Sequence, residues 1–232
     1  MLEIRKSGDR GHADRGWLNS FHSFSFADYQ DPRHVSFGSL RVINEDRIQP
    51  GTGFGTHGHR DMEIVSYVLE GALAHKDSMG NGSTIVPGDV QRMSAGRGVQ
   101  HSEHNAAPGG VTHFLQIWIQ PNVLGIAPEY EQKHFDRISR QGTLRLIASP
   151  DGRDGSVLIH QDACIYASLL GAGYLVNHPV VSGRRAYVHM ARGRATVNGL
   201  SMGAGDALKA TDISGIAMGD AQDAEVLLFD LA

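Results

Sequence analysis

Residues 51–103 decide how this chain is read. They open Gly51-Thr-Gly53-Phe-Gly55-Thr-His57-Gly-His59-Arg-Asp-Met-Glu63 and close Gly96-Arg-Gly98-Val-Gln-His101-Ser-Glu103. Successive side chains of an extended strand point to opposite faces, so His57 and His59 share one side of a strand, and His101 and Glu103 share one side of another. Two such pairs can meet around one ion. Three imidazoles and a carboxylate suit a borderline divalent metal such as iron, manganese, nickel, copper or zinc, whereas calcium and magnesium prefer all-oxygen shells. Spacing alone leaves iron and zinc equally open.

Between and around these pairs the pattern is short strands and tight turns. Residues 64–69, 72–76, 84–86, 90–93 and 113–119 read as strands, punctuated by Glu70-Gly71, by the turn-rich residues 77–82 and by Pro87-Gly88-Asp89. No segment keeps a helical period. Upstream, Phe24 and Phe26 share a face, which predicts a strand with one apolar side, and residues 40–43 resume a strand after the turn at Asp31-Pro32. Residues 121–128 look like a boundary, dividing an N-terminal domain 1–125 from a C-terminal domain 126–232. Residues 130–138 are expected to hold a short turn of helix. Further strands are predicted at 157–160, 163–170, 185–190, 195–197 and 225–229, and Asn198-Gly199 marks a two-residue hairpin whose turn positions both need positive φ. The second half echoes the first: Gly203-Ala-Gly205-Asp206 parallels Val86-Pro87-Gly88-Asp89, which suggests one β-barrel duplicated. The second copy has no His-x-His followed by His-x-Glu, so it is expected to carry no metal.

Bulk properties narrow the class. At 232 residues the chain can form one large or two smaller β domains, and its 29 glycines favour many tight turns over a helical bundle. A formal charge of -4 argues against nucleic-acid binding through bulk positive charge. The single cysteine, Cys164, excludes an intrachain disulfide and a cysteine-rich metal site, and is expected to be buried. No apolar run resembles a secretory leader or a membrane span, so a cytoplasmic location is expected.

Several motifs together resemble the pirin family of the cupin superfamily. Gly51-x5-His57-x-His59-x3-Glu63 followed by Gly71 is similar to the first cupin motif with one extra residue, and Gly98-x2-His101-x3-Asn105 to the end of the second, with Gly96 in place of a proline. More specific are Gly16-Trp17-Leu18, His22-Ser-Phe24-Ser-Phe26, Leu40-Arg-Val-Ile-Asn44, Met62-Glu-Ile64-Val-Ser-Tyr67-Val-Leu-Glu-Gly71 and Tyr130-Glu-Gln132. The resemblance implies an all-β bicupin, two jelly-roll cupin barrels in tandem, with metal in the first only, held by His57, His59, His101 and Glu103. Fe(II) is the metal it implies first, with Mn, Co, Ni, Cu or Zn as others. In the family the carboxylate ligand comes from the second pair, so Glu63 is assigned a supporting role. The activity implied is that of the bacterial pirins that cleave quercetin or a related flavonol with O2 and release CO, with Glu103 as catalytic base. Its partners would be a small flat aromatic substrate and O2, with no nucleic acid and no membrane. The resemblance also implies a rival, a non-enzymatic iron-dependent pirin acting as a redox-sensing regulator of a protein partner.

Other histidines and two decoy motifs complete the reading. His75, His104 and His113 are expected to face outward or to support the ligands; His12, His22 and His34 are expected to make structural hydrogen bonds in the aromatic segment, with lining of the pocket as the alternative. Phe21, Phe24, Phe26, Met93 and Phe114 are candidate pocket walls. Gly53-Phe-Gly55-Thr-His-Gly58 fits a dinucleotide fingerprint but leads into a strand-like run where that motif needs a helix. Gly199-Leu-Ser201-Met-Gly203 fits a nucleophile elbow but follows a hairpin.

Overall fold

Apolar residues alternating over short runs between glycine turns cannot bury themselves alone, and in the computed structural model, which describes residues 1–232, they do so by pairing into antiparallel sheets. The fold is all-β. Two compact units share the chain, one made of Gly11–His134 and Val157–Gln161, the other of Met1–Arg10, Phe135–Ser156 and Asp162–Ala232. The chain therefore passes between units more often than a single cut at 125/126 would require.

In the first unit a seven-stranded sheet runs in the order Glu129–His134, Asp89–Ser94, Glu63–Glu70, Thr112–Ile119, Leu40–Ile48, Leu18–His22, Gly11–Asp14. A four-stranded sheet runs Gly53–His59, Val99–Asn105, Leu73–Asp77, Gly82–Ile85. Leu18, Ile48, Val68 and Phe114 of the first sheet pack on Leu73 and Ile85 of the second, which holds the sheets face to face. Each such side chain contributes roughly 1.5–3 kcal/mol by leaving water.

The second unit is organised on Gly215–Leu231, a strand of 17 residues that pairs with Ala163–Leu170, Arg185–Val197 and Val176–Pro179. A strand serving three partners must bend. It does so where Asp220 and Asp223 take positive φ, and its register with Arg185–Val197 slips repeatedly. Its core includes Val188, Met190, Leu208, Val226 and Leu228.

The hairpin at Asn198-Gly199 forms with φ of 45° and 80°, setting Val197 opposite Leu200. Ser201 thus lies in a strand, Leu200–Gly203, and no helix completes an elbow. Gly53 to Gly58 likewise lies in a strand, which removes the dinucleotide reading. The echo between halves is physical. Asp89 Oδ2 accepts from Val86 N at 3.1 Å and Asp206 Oδ2 from Gly203 N at 3.0 Å, each aspartate closing its own turn after a glycine of positive φ.

Two local expectations change. The strand expected through Phe24 and Phe26 ends at His22, because the backbone turns there; Phe24 is buried beyond it and Phe26 only bridges Tyr29. The region 130–138 is mostly strand, Glu129–His134, with its helical turn displaced to Arg137–Arg140, where Asp136 Oδ1 accepts from Ser139 N. Cys164 is buried, with Arg153 Nη2 3.1 Å from its sulfur.

Phe114 is fully buried where the two sheets meet. Phe114→Ala is expected to cost about 3–5 kcal/mol, measurable as a lowered urea midpoint.

Candidate metal centre

Two adjacent antiparallel strands of the four-stranded sheet deliver the histidines. His57 on Gly53–His59 lies opposite His101 on Val99–Asn105, and His59 follows on the same face as His57. Ring centroids are 4.8 Å apart for His57 and His59, 4.4 Å for His57 and His101 and 4.9 Å for His59 and His101. One nitrogen from each ring falls within 4.8 Å of the others. Glu103 follows His101 on the same face of its strand, which pairs in regular register with Leu73–Asp77 and sets Glu103 opposite His75. The pairing with Gly53–His59 slips after His101, and the extra residue lies in Gly53–His59, bringing Phe54 opposite Glu103. The strands approach closely here: a Cβ on Gly53 would lie 2.2 Å from the Glu103 carbonyl oxygen, so only glycine fits.

The structure brings His57, His59 and His101 together as one potential ligand group and Glu103, His101 and His75 as a second, also within 4.8 Å. His101 belongs to both, and both lie in the first unit. His75, whose reading included an outward position, is instead enclosed, 2% exposed, with its ring 5.4 Å from His101. A carboxylate accepts from its Nε2 (3.1 Å to Asp77 Oδ2), which leaves Nδ1 as a buried lone pair. His104 faces outward, and His113 pairs with Glu45 at 3.0 Å. Glu63 lies in neither group: Ser94 Oγ donates to it at 2.8 Å and His160 N at 3.2 Å.

Hydrogen bonds orient the ligating atoms. His57 Nδ1 lies 2.8 Å from the Gly55 carbonyl, which can only accept, so Nε2 is left as the free lone pair. Gln116 Nε2 donates to Glu103 Oε2 at 2.8 Å, and Ser66 Oγ lies 3.2 Å from Oε1. Ser66 also lies 2.9 Å from Gln116 Oε1, so its one proton serves two acceptors.

Burial sets the charges. It lowers His101 to about 3, helped by His57 and His59, and His59 to about 4, helped by His57. Both imidazoles are neutral at neutral pH, the state that binds metal. Burial and, to a lesser extent, the nearby Asp46 raise Glu103 to about 7. His101 is 2% exposed and neither of its ring nitrogens has a hydrogen-bond partner. Buried polar atoms left in this way require a partner, and neutral imidazole nitrogens beside a carboxyl match the donor set of a borderline divalent cation.

A cavity of about 430 Å³ opens beside His57, His59 and Glu103. Of the five side chains expected to wall it, only Phe26 does so; Trp17, Leu18, Phe54 and Trp118, with Ala13 and Ala27, supply the rest of the apolar lining. Phe114 and Met93 are taken up in packing instead. His22, whose reading included a place in the pocket wall, borders the cavity; sequence reasoning missed the rest of the polar wall, Ser20, Asn44, Asp46 and Gln116. Its signal was present: Leu40–Ile48 carries Asn44 and Asp46 on one face and Glu45 and Arg47 on the other, leaving no apolar side there for a core to claim.

Fold and site together define a two-domain cupin with a candidate metal centre in its first unit. The chain belongs to the pirin family: residues 3–119 match the family model Pirin and residues 146–231 the model Quercetinase C-terminal cupin domain. A protein of Escherichia coli K12 named Quercetin 2,3-dioxygenase is 47% identical over 231 residues, covering 100% of this chain and 99% of its own. The crystal structure of YhhW from Escherichia coli superposes with a TM-score of 0.96 at 46% identity, covering 100% of this chain and 98% of that one. The bacterial pirin YhhW in complex with nickel(II) gives 0.94 at 46% identity, covering 100% and 99%. No helix of this chain is long and apolar enough to cross a membrane.

Glu103 holds its proton in the folded metal-free protein up to about pH 7, against an ordinary 4.5, so its contribution to stability is complete below 4.5 and is lost as pH rises toward 7. Glutamine cannot ionise. Metal-free Glu103→Gln is therefore expected to gain thermal midpoint relative to wild type across that window, and a constant difference would refute the assignment. Gly53→Ala is expected to push the two strands apart and reduce bound nickel per chain, read by elemental analysis of reloaded protein.

Proposed function

We propose that this chain is a metal-dependent dioxygenase that cleaves quercetin or a related flavonol with O2 and releases CO, with His57, His59, His101 and Glu103 as metal ligands. The observation that carries this reading is the enclosed, partnerless His101 ring grouped with two further histidines and with Glu103 beside an aromatic-lined cavity. Family membership and the named relative support it. Fe(II) is the metal proposed, and the related pirin's complex with nickel(II) supports a divalent transition ion.

A bound divalent metal would supply Lewis acidity for a substrate enol oxygen and a redox partner for O2. The chain's residues do the remaining work. Trp17, Phe26, Phe54 and Trp118 offer flat faces to an aromatic ring system and keep water from it. Trp118 is itself positioned, its ring 4.9 Å from His59 and 5.4 Å from Phe26. Burial favours the protonated form of Glu103, so its carboxylate can take the flavonol hydroxyl proton and hold it on a carboxyl oxygen. Gln116 and Ser66 keep that carboxyl in place while its charge changes. The deprotonated ring is then the electron-rich partner for O2, whose two atoms end on C2 and C4 of the depside as the C2–C3 and C3–C4 bonds break and C3 leaves with its own oxygen as CO.

Protein loaded with iron or nickel is expected to bleach quercetin with uptake of O2 and release of CO. His101→Ala is expected to lose both bound metal and turnover, and Glu103→Gln to lower kcat by about 100-fold or more. Quercetin left intact with every divalent metal tried would sink the enzymatic reading and leave the protein-binding one.

A further inference from the structure

Asn44 and Asp46 have no part in the chemistry above, yet each is only 3% exposed and both border the cavity. They lie two residues apart on one face of Leu40–Ile48. In register, Asn44 stands between His22 and Gln116, and Asp46 between Ser20 and Phe114. Ser20 hydrogen-bonds the Asp46 carboxyl and its Oγ lies 2.9 Å from His22 Nε2. This leaves Asn44 Oδ1 and Asp46 Oδ1 buried with no partner.

Two unpaired acceptors side by side are a standing cost to the fold, because each gave up water on burial. A purely structural polar pair would satisfy its oxygens from neighbouring strands, as Glu63 does with Ser94 and His160. Here Ser20 and Gln116 are already committed, and the cavity borders Asn44 and Asp46. A ligand that brings hydroxyl donors would satisfy both oxygens.

Resting on the flavonol reading above, we propose that Asp46, with Asn44 beside it, is the specificity determinant of this site, accepting hydrogen bonds from hydroxyl groups on the aromatic rings of the substrate. The preferred substrates are then polyhydroxylated flat aromatics, and a parent ring system carrying only the reactive hydroxyl is disfavoured. A site built around acceptors rejects an analogue lacking the matching donor, since the acceptors are left buried and unpaired again.

The test is binding without oxygen. Both tryptophans of the chain, Trp17 and Trp118, border the cavity, so their fluorescence reports occupancy. Nickel-loaded wild type is expected to bind quercetin about tenfold or more tighter than 3-hydroxyflavone. Asp46→Leu is expected to abolish most of that preference by weakening quercetin alone. Asp46→Asn retains the shape and the Ser20 contact; it is expected to lose part of the preference while its ligand-free thermal midpoint holds or rises, where a structural role demands a fall. Wild type that binds neither ligand or both alike, or a preference that survives both substitutions, overturns the proposal, as does an ordered water at this wall that quercetin does not displace. If the preference vanishes in the variants while wild type consumes no oxygen with quercetin, the recognition role stands and only the dioxygenase reading fails.

Discussion

Removing imidazole and carboxyl groups from water without giving each a partner is the constraint on which this molecule turns. His101 and Glu103 are 2% and 1% exposed, and burial pulls their pKa values in opposite directions, the histidine down and the acid up. Both shifts favour the neutral forms, so the metal-free site lowers its own cost by shedding charge. The same shifts prepare it for a cation: neutral imidazoles offer lone pairs without first losing protons, and the acid can give up its proton when a positive charge arrives.

Holding such a cluster requires a scaffold that does not relax around it. Hydrogen-bonded strands serve because register places His57 opposite His101 with no dependence on side-chain packing. A regular ladder would have continued that parity and set Gly55 opposite Glu103; the slip after His101 brings Phe54 there instead. The bare backbone of Gly53 admits the close approach this creates. Glycine density in this stretch therefore reflects strand proximity as well as turns.

Across the facing sheet runs a row of polar side chains, His22, Asn44, Gln116 and Ser66, each opposite the next on four adjacent strands. An apolar row would stabilise the sheet further. Instead, Gln116 and Ser66 fix Glu103 at one end, and Asn44 with Asp46 leaves acceptors unpaired at the other. Stability is given up where the cavity lies and recovered in the Leu18, Val68, Leu73 and Phe114 core beside it, a division common where function needs buried polarity.

Much was legible in the residues themselves. Alternation and turn chemistry determined an all-β chain, the Asn198-Gly199 hairpin and the paired aspartate turns, because these depend on local backbone preference. The two same-face pairs determined that nitrogen and oxygen donors could converge, since strand parity is a local property. Which groups actually converge was decided only in three dimensions. His75 joins Glu103 and His101 through strand pairing with Val99–Asn105, a relation with no trace in its own neighbourhood. The cavity wall went to Trp17, Phe54 and Trp118 instead of Phe21, Phe24, Met93 and Phe114 because facing depends on where a strand ends and which sheet covers it. Asp46 meets the cavity, and acts on Glu103 electrostatically, for the same reason: distance across a sandwich is set by the packing of two sheets, and no spacing along the chain encodes it.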